Sequence, residues 1–146
     1  MTIKQIKNTS AFYSHSLELR NEILRKPLGM DIDNDGFKDG EDHVHFIAIE
    51  DDEVVGVVLL IPHWKEGVGK LRQMATAEKV RGKGYGIQLV KALEEYAVEH
   101  QMTSVFLHSR YYAAGFYEKL GYTVCSDVFQ EVGMDHYAME KGIGTS

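Results

Sequence analysis

The residues Arg81-Gly82-Lys83-Gly84-Tyr85-Gly86 put three glycines and two cations into one short loop. Glycine lets a backbone approach a ligand closely and accepts positive φ. From Ile87 to Glu99 the chain then spaces apolar residues as a helix does, with Ile87, Val90, Leu93 and Ala97 on one face. Such a helix turns unpaired N–H groups and the positive end of its dipole toward the loop. Loop and helix together suit an anion with several oxygens, such as a pyrophosphate. Two familiar phosphate loops do not fit. A Walker loop needs Ser or Thr after its Lys, and Gly84 follows Lys83. A dinucleotide fingerprint needs G-x-G-x-x-G after the first strand, whereas the spacing here is G-x-G-x-G, late in the chain. Taken alone, the loop can also be a glycine-rich turn with two solvated cations.

A second pattern has the look of a metal site. Asp31-Ile32-Asp33-Asn34-Asp35-Gly36 opens like a calcium loop, D-x-[DN]-x-[DN]-G, and Asp42 falls at the twelfth position. That position takes Glu for bidentate reach. Asp is one methylene shorter, Lys38 stands where an apolar residue belongs, and a strand pattern comes next. The preferred reading is an acidic surface loop that lines an acceptor site and draws a cationic amine, with no metal. Proton acceptors near neutral pH are His43, His45, His63, His108 and His136, with Glu131 behind them. His45 and His108 fall in strand patterns, where a structural role competes. No histidine pair has helical ligand spacing, so zinc is not expected. Trp64 either lines a cleft or covers the core edge, and Cys125 reads as a packing residue.

These groups need elements to hold them. Thr2–Lys7 reads as a strand. Ser14–Lys26 reads as a helix capped by Ser14 or Ser16 and ended by Pro27 and Gly29. Val44–Glu50 and Val54–Ile61 read as a hairpin across Asp51-Asp52, and His63–Gly69 as a loop. Lys70–Ala77 and Thr103–His108 read as strands on either side of the helix from Ile87. Tyr111–Leu120 reads as a helix closed by Gly121, with last strands at Tyr122–Cys125 and Tyr137–Glu140. The order β-α-β-β-β-α-β-α-β-β is that of an α/β domain with a mixed sheet.

At 146 residues and 44% hydrophobic, the chain is sized for one packed domain. Its single cysteine excludes an internal disulfide. Sixteen basic against 22 acidic residues, net −6, argue against nucleic acid as a partner. No signal-like or membrane-spanning run is present, so a cytoplasmic setting is expected.

The pattern Arg81-x-x-Gly84-x-Gly86, between a strand and an amphipathic helix, resembles the acyl-CoA loop of the GNAT (general N-acetyltransferase) superfamily. Ala114-Gly115-Phe116-Tyr117-Glu118-Lys119-Leu120-Gly121-Tyr122 is similar to the superfamily's A-x-x-F-Y-x-K-x-G-[FY] segment, in the right order and spacing. The stretches Glu41–His45 and Phe129–His136, followed by Met139, resemble the ElaA-like branch, which carries proline where Asp135 stands.

The resemblance implies a GNAT domain over 1–142 with a short tail at 143–146, and a mixed, mostly antiparallel sheet flanked by helices. It implies that Arg81, Gly82, Lys83, Gly84, Tyr85 and Gly86 hold the CoA pyrophosphate. The backbone of a bulged strand at Met74, Ala75 and Thr76 pairs with the pantetheine arm, and an N–H near Ala75 or Thr76 polarises the thioester. Tyr117 matches the tyrosine that protonates the leaving thiolate. The implied activity is acetyl transfer from acetyl-CoA to a primary amine of a small molecule or peptide, by direct attack in a ternary complex. A homodimer stands among the expected assemblies. A non-catalytic acyl-CoA-binding regulatory module is the competing function; retention of Tyr117 favours the enzyme.

Overall fold

The computed structural model describes residues 1–32, 39–40 and 42–144. Most of the calcium-like loop, 33–38 and 41, lies outside the described residues. The strands are β1 (Thr2–Ile6), β2 (Val44–Glu50), β3 (Glu53–Lys65), β4 (Val68–Thr76), β5 (Ser104–Arg110), β6 (Thr123–Val124), β7 (Phe129–Glu131) and β8 (Met134–Gly142). The helices are α1 (Tyr13–Leu24), α2 (Tyr85–Glu99) and α3 (Ala114–Lys119). One sheet runs β1-β2-β3-β4-β5-β8-β6, and β7 pairs with β8. All neighbours are antiparallel except β4 and β5. The fold is thus the α/β architecture with a mixed, mostly antiparallel sheet expected from the sequence.

Helices cover both faces of the sheet. Leu89, Val90, Leu93 and Ala97 of α2 pack with Phe46, Val58, Leu60, Leu71, Leu107 and Met139 of the strands in one core. Leu19 and Leu24 of α1 pack with Ile6, Ile47, Val57 and Ala75 on the opposite face. Each such aliphatic side chain contributes roughly 1.5–3 kcal/mol of burial.

Several local expectations are corrected. Ile87 does not share the buried face of α2: it is 39% exposed, and Leu89 takes its place in the core. Ser14 and Ser16 do not cap α1. Phe12 holds the cap position, and the Ser16 hydroxyl donates to the Tyr13 carbonyl inside the helix. The loop at His63–Gly69 is largely strand, with only Glu66 and Gly67 between β3 and β4. Cys125 is exposed and does not pack the core. The strand β7 was not anticipated; Val132 and Gly133, with φ of 46° and 77°, turn it back into β8. Asp51 and Asp52, at φ of 52° and 62°, make the expected tight turn between β2 and β3.

Two irregularities in β4 open the centre of the sheet. Val57 pairs with Ala75 but Leu59 pairs with Arg72, so Gln73 and Met74 together oppose Val58. This is a β-bulge, with Gln73 at φ 51°. The extra residue reverses the facing of the strand beyond it: Leu71 lies in the α2 core, whereas Ala75, an even number of residues later, lies in the α1 core. Beyond Leu71 the pairing of β4 with β5 stops. From there β4 stays with β3, and β5 continues with β8 through Arg110 opposite His136.

Candidate active site

The gap between β4 and β5 belongs to a cleft of about 1630 Å³. It runs from the glycine loop, past the bulge and α3, to the far ends of β3 and β5. Of the residues expected to bind cofactor, Met74, Ala75, Thr76, Arg81, Gly82, Gly84, Tyr85 and Gly86 line it. Lys83 is not on the wall. Its ammonium lies 3.8 Å from Glu50 Oε2.

The loop's geometry has separable causes. Gly84 precedes α2 at φ 82°, a conformation that L side chains rarely adopt. Gly86 has a different reason: a Cβ there would sit 3.3 Å from the Phe116 ring, so its absence lets α3 close against the start of α2. The amides of Arg81 and Lys83 are bonded to the carbonyls of Glu78 and Val80. The first amides of α2 itself have no intrahelical acceptor, as in any helix. Tyr85 donates its hydroxyl to Glu50 Oε1 at 2.8 Å. Glu50, at the end of β2, thereby ties the loop to the sheet. Sequence reasoning missed it, because an acidic residue beside a tight turn carries no local sign of a partner 35 positions away.

Tyr117 lies on the cleft wall where the glycine loop and the β4–β5 gap meet α3. It is 5% exposed, packed edge-on against Phe116 and Tyr122. Burial pushes its phenol well above the ordinary tyrosine range, so it keeps its proton at any physiological pH.

The candidate bases separate into two groups. His108, Glu131 and His136 converge on the cleft wall. His108 Nδ1 is 3.1 Å from Glu131 Oε1, and His136 Nε2 is 3.5 Å from Glu131 Oε2. His136 is fixed by donation from its Nδ1 to the Met134 carbonyl at 3.0 Å. The β7–β8 turn, which the sequence did not signal as a hairpin, is what brings Glu131 back to His108. The other histidines lie elsewhere. His45 is fully buried on β2, edge-on to Tyr13. Among the described residues neither of its ring nitrogens has a hydrogen-bond partner, and burial lowers its pKa to about 4. A neutral, enclosed ring off the cleft is not a base for substrate. His43 accepts from the Gly40 amide at 2.9 Å, and His63 donates to the His100 carbonyl at 3.0 Å.

Under the bulge lies a polar network with no sequence signature. Arg20 of α1 is paired with Asp39 at 2.7 Å, both almost fully enclosed. Its Nε donates to the Gln73 side chain at the bulge itself. Tyr13 donates to Asp39 at 2.6 Å. Burial and that hydrogen bond push the Tyr13 phenol up to about 12. Trp64 lines the cleft, stacked on Phe106 at 5.0 Å.

The model of the acetyltransferase (GNAT) family matches residues 10–122. A provisionally named acetyltransferase of Bacillus subtilis (strain 168) is 31% identical over 97% of this chain and 96% of that protein. Among solved structures, Escherichia coli ElaA superposes with a TM-score of 0.83 at 19% identity, covering 97% of this chain and 99% of that one. An aminoglycoside 6'-N-acetyltransferase complexed with coenzyme A superposes with a TM-score of 0.76 at 18% identity, covering 98% and 97%. At these identities the two structures are alike in fold.

Proposed function

The chain belongs to the acetyltransferase (GNAT) family, and from that premise we propose that it moves the acetyl group of acetyl-CoA directly to a primary amine of a small molecule or peptide within a ternary complex. The observation that carries this reading is the junction of three features in one cleft: the glycine loop, the β4–β5 gap and Tyr117.

The first amides of α2, from Gly84 to Ile87, with the Arg81 side chain, meet the pyrophosphate. Lys83, off the cleft wall, contributes by tying the loop to Glu50. The pantetheine arm lies along Met74, Ala75 and Thr76, where β4 has left β5 and its edge is open to an added strand. An amide at this edge polarises the thioester carbonyl as the oxyanion develops. The amine nitrogen then bonds to the carbonyl carbon and the C–S bond breaks. Tyr117 gives its proton to the leaving sulfur, and the attacking nitrogen loses its own to a base. The contact of Glu131 with His108 supports that pair as the proton acceptor, and a water between them and the amine is compatible with it. A cytoplasmic setting, where acetyl-CoA is available, completes the reading.

The test is CoA thiol release from acetyl-CoA across polyamines, amino acids, amino sugars, aminoglycosides and peptides. Release that depends on one amine class is the expected result. Acetyl-CoA binding without release for any amine would leave a binding module in place of an enzyme.

A further inference from the structure

The bulge in β4 is built on an unfavourable residue. A bulge whose first residue is left-handed ordinarily takes glycine there, because glycine accepts positive φ without a steric cost. Here that residue is Gln73, at φ 51°. Non-glycine residues seldom adopt this conformation, and glutamine is not among the types enriched in it. Such backbone persists where its surroundings over-determine it, and it gathers at functional sites. Gln73 lies on the cleft wall, immediately before the edge formed by Met74, Ala75 and Thr76.

The surroundings that hold Gln73 come from α1. Arg20 is buried, and its Nε donates to the side-chain oxygen of Gln73. Its other two nitrogens donate to Asp39, Nη1 to Oδ2 at 2.7 Å and Nη2 to Oδ1 at 3.2 Å. Asp39 is held in turn by the Tyr13 hydroxyl, which donates to Oδ2 at 2.6 Å. A guanidinium bonded through both terminal nitrogens has a fixed plane, so its remaining donor is aimed. The same helix grips the strand just past the bulge: Leu19, next to Arg20, shares a core with Ala75. Helix α1 thus holds the bulge by a polar contact at Gln73 and by apolar packing at Ala75.

Resting on the acetyl-CoA reading above, we propose that Arg20 is a positioning residue for the cofactor, acting through Gln73. The hydrogen bond offsets the cost of left-handed backbone at Gln73. It thereby keeps populated the bulged form in which Met74, Ala75 and Thr76 present an open edge. Without it the backbone relaxes to less strained conformations, and affinity for the cofactor falls with the fraction of molecules left in the bulged form. Arg20 does not itself line the cleft, so it acts at one remove. The agent is the direction of its Nε, set by the bidentate pair with Asp39, and not its charge.

The test is calorimetric titration of acetyl-CoA into the full chain and its variants, with denaturant titration to show that each variant folds. Gln73→Leu keeps much of the side chain's volume and loses the oxygen that Arg20 holds, while its backbone must still be left-handed. It is expected to weaken binding about tenfold, the effect of leaving strain of this kind uncompensated. Gln73→Gly loses the same oxygen but takes positive φ freely, and it is expected to bind several-fold tighter than Gln73→Leu. A side chain that touched the cofactor or only filled space gives the reverse order. Arg20→Lys keeps a charge for Asp39 but not the planar fork that serves Asp39 and Gln73 together. It is expected to weaken binding several-fold in the wild-type background and far less when Gln73→Gly is already present. Gln73→Gly binding no tighter than Gln73→Leu, or an Arg20→Lys effect of equal size in both backgrounds, overturns the proposal. Should Arg20→Lys not fold, the order of the two Gln73 variants decides. A wild-type chain that does not bind acetyl-CoA overturns the proposal together with the cofactor reading. Binding in the expected order without thiol release for any amine overturns the transferase and leaves the role of Arg20 standing.

Discussion

Tyr117 and Glu131 have opposite electrostatic situations, and their expected roles differ accordingly. A phenol enclosed by Phe116 and Tyr122 resists ionisation, so it stays protonated and available as a donor, while the same burial makes full transfer to a thiolate uphill until the site is filled. Positioned acids of this kind contribute about 100- to 10,000-fold to rate. Tyr117→Phe is therefore expected to lower kcat by roughly 100-fold with little change in acetyl-CoA affinity, as steady-state kinetics and calorimetry would show. An unchanged kcat would remove Tyr117 from the chemistry. Glu131→Gln should lower kcat in steady-state kinetics, because His108 then loses the carboxylate 3.1 Å away. His45 answers to pH for a structural reason. Its pKa falls from the ordinary histidine value of 6.5 to about 4 on folding, so the unfolded chain binds more protons between those values. Stability should fall as pH drops from 6.5 toward 4, by on the order of 3 kcal/mol. His45→Phe should flatten that part of the curve in denaturant titrations.

At the scale of elements, the decisive feature is the bulge in β4. It reverses the facing of Ala75 relative to Leu71 and frees the strand edge on which the proposed pantetheine pairing rests. Gln73, at φ 51°, does not hold that conformation alone; Arg20 of α1 reaches it from the other side of the network. Asp39→Asn leaves the buried Arg20 charge uncompensated and should cost about 3 kcal/mol or more in unfolding experiments. It should also raise the KM for acetyl-CoA, because the bulge loses its anchor. Asp39 has its carboxyl below the usual range through Arg20 and Tyr13, which outweigh its burial. Its contribution is thus present at neutral pH and lost only as pH falls through that lowered value. The junction of α2 and α3 is a second such contact. Gly86→Ala places a methyl 3.3 Å from the Phe116 ring and should weaken acetyl-CoA binding several-fold, since both the loop and Tyr117 depend on that junction.

For the whole molecule, the expected behaviour is stabilisation by its co-substrate. A ligand at one hundred times its Kd adds about 2.7 kcal/mol, which for a domain of this size is a Tm increase of roughly 5–10 °C. Acetyl-CoA should produce such a shift in thermal unfolding, and Gly84→Ala should reduce it, because a side chain at φ 82° strains the loop that makes the contact. No helix among the described residues is long and apolar enough to cross a membrane.

The sequence by itself determined what depends on neighbouring residues. Alternating apolar runs and the Asp51-Asp52 turn specified β2 and β3. Glycine chemistry next to helical periodicity specified a glycine loop at the start of α2, and the spacing of two blocks specified the family. These are local signals, because backbone preference and side-chain period act over a few residues. Only the tertiary structure decided which candidates meet. His45 and His108 sit in similar strand patterns, yet one is sealed under α1 and the other faces the cleft beside Glu131. Glu50, Arg20 and Asp39 carried no signal, because an ion pair or hydrogen bond is a property of two distant segments and has no period. The bulge at Gln73 turned the strand, and the Val132-Gly133 turn returned Glu131 to the wall.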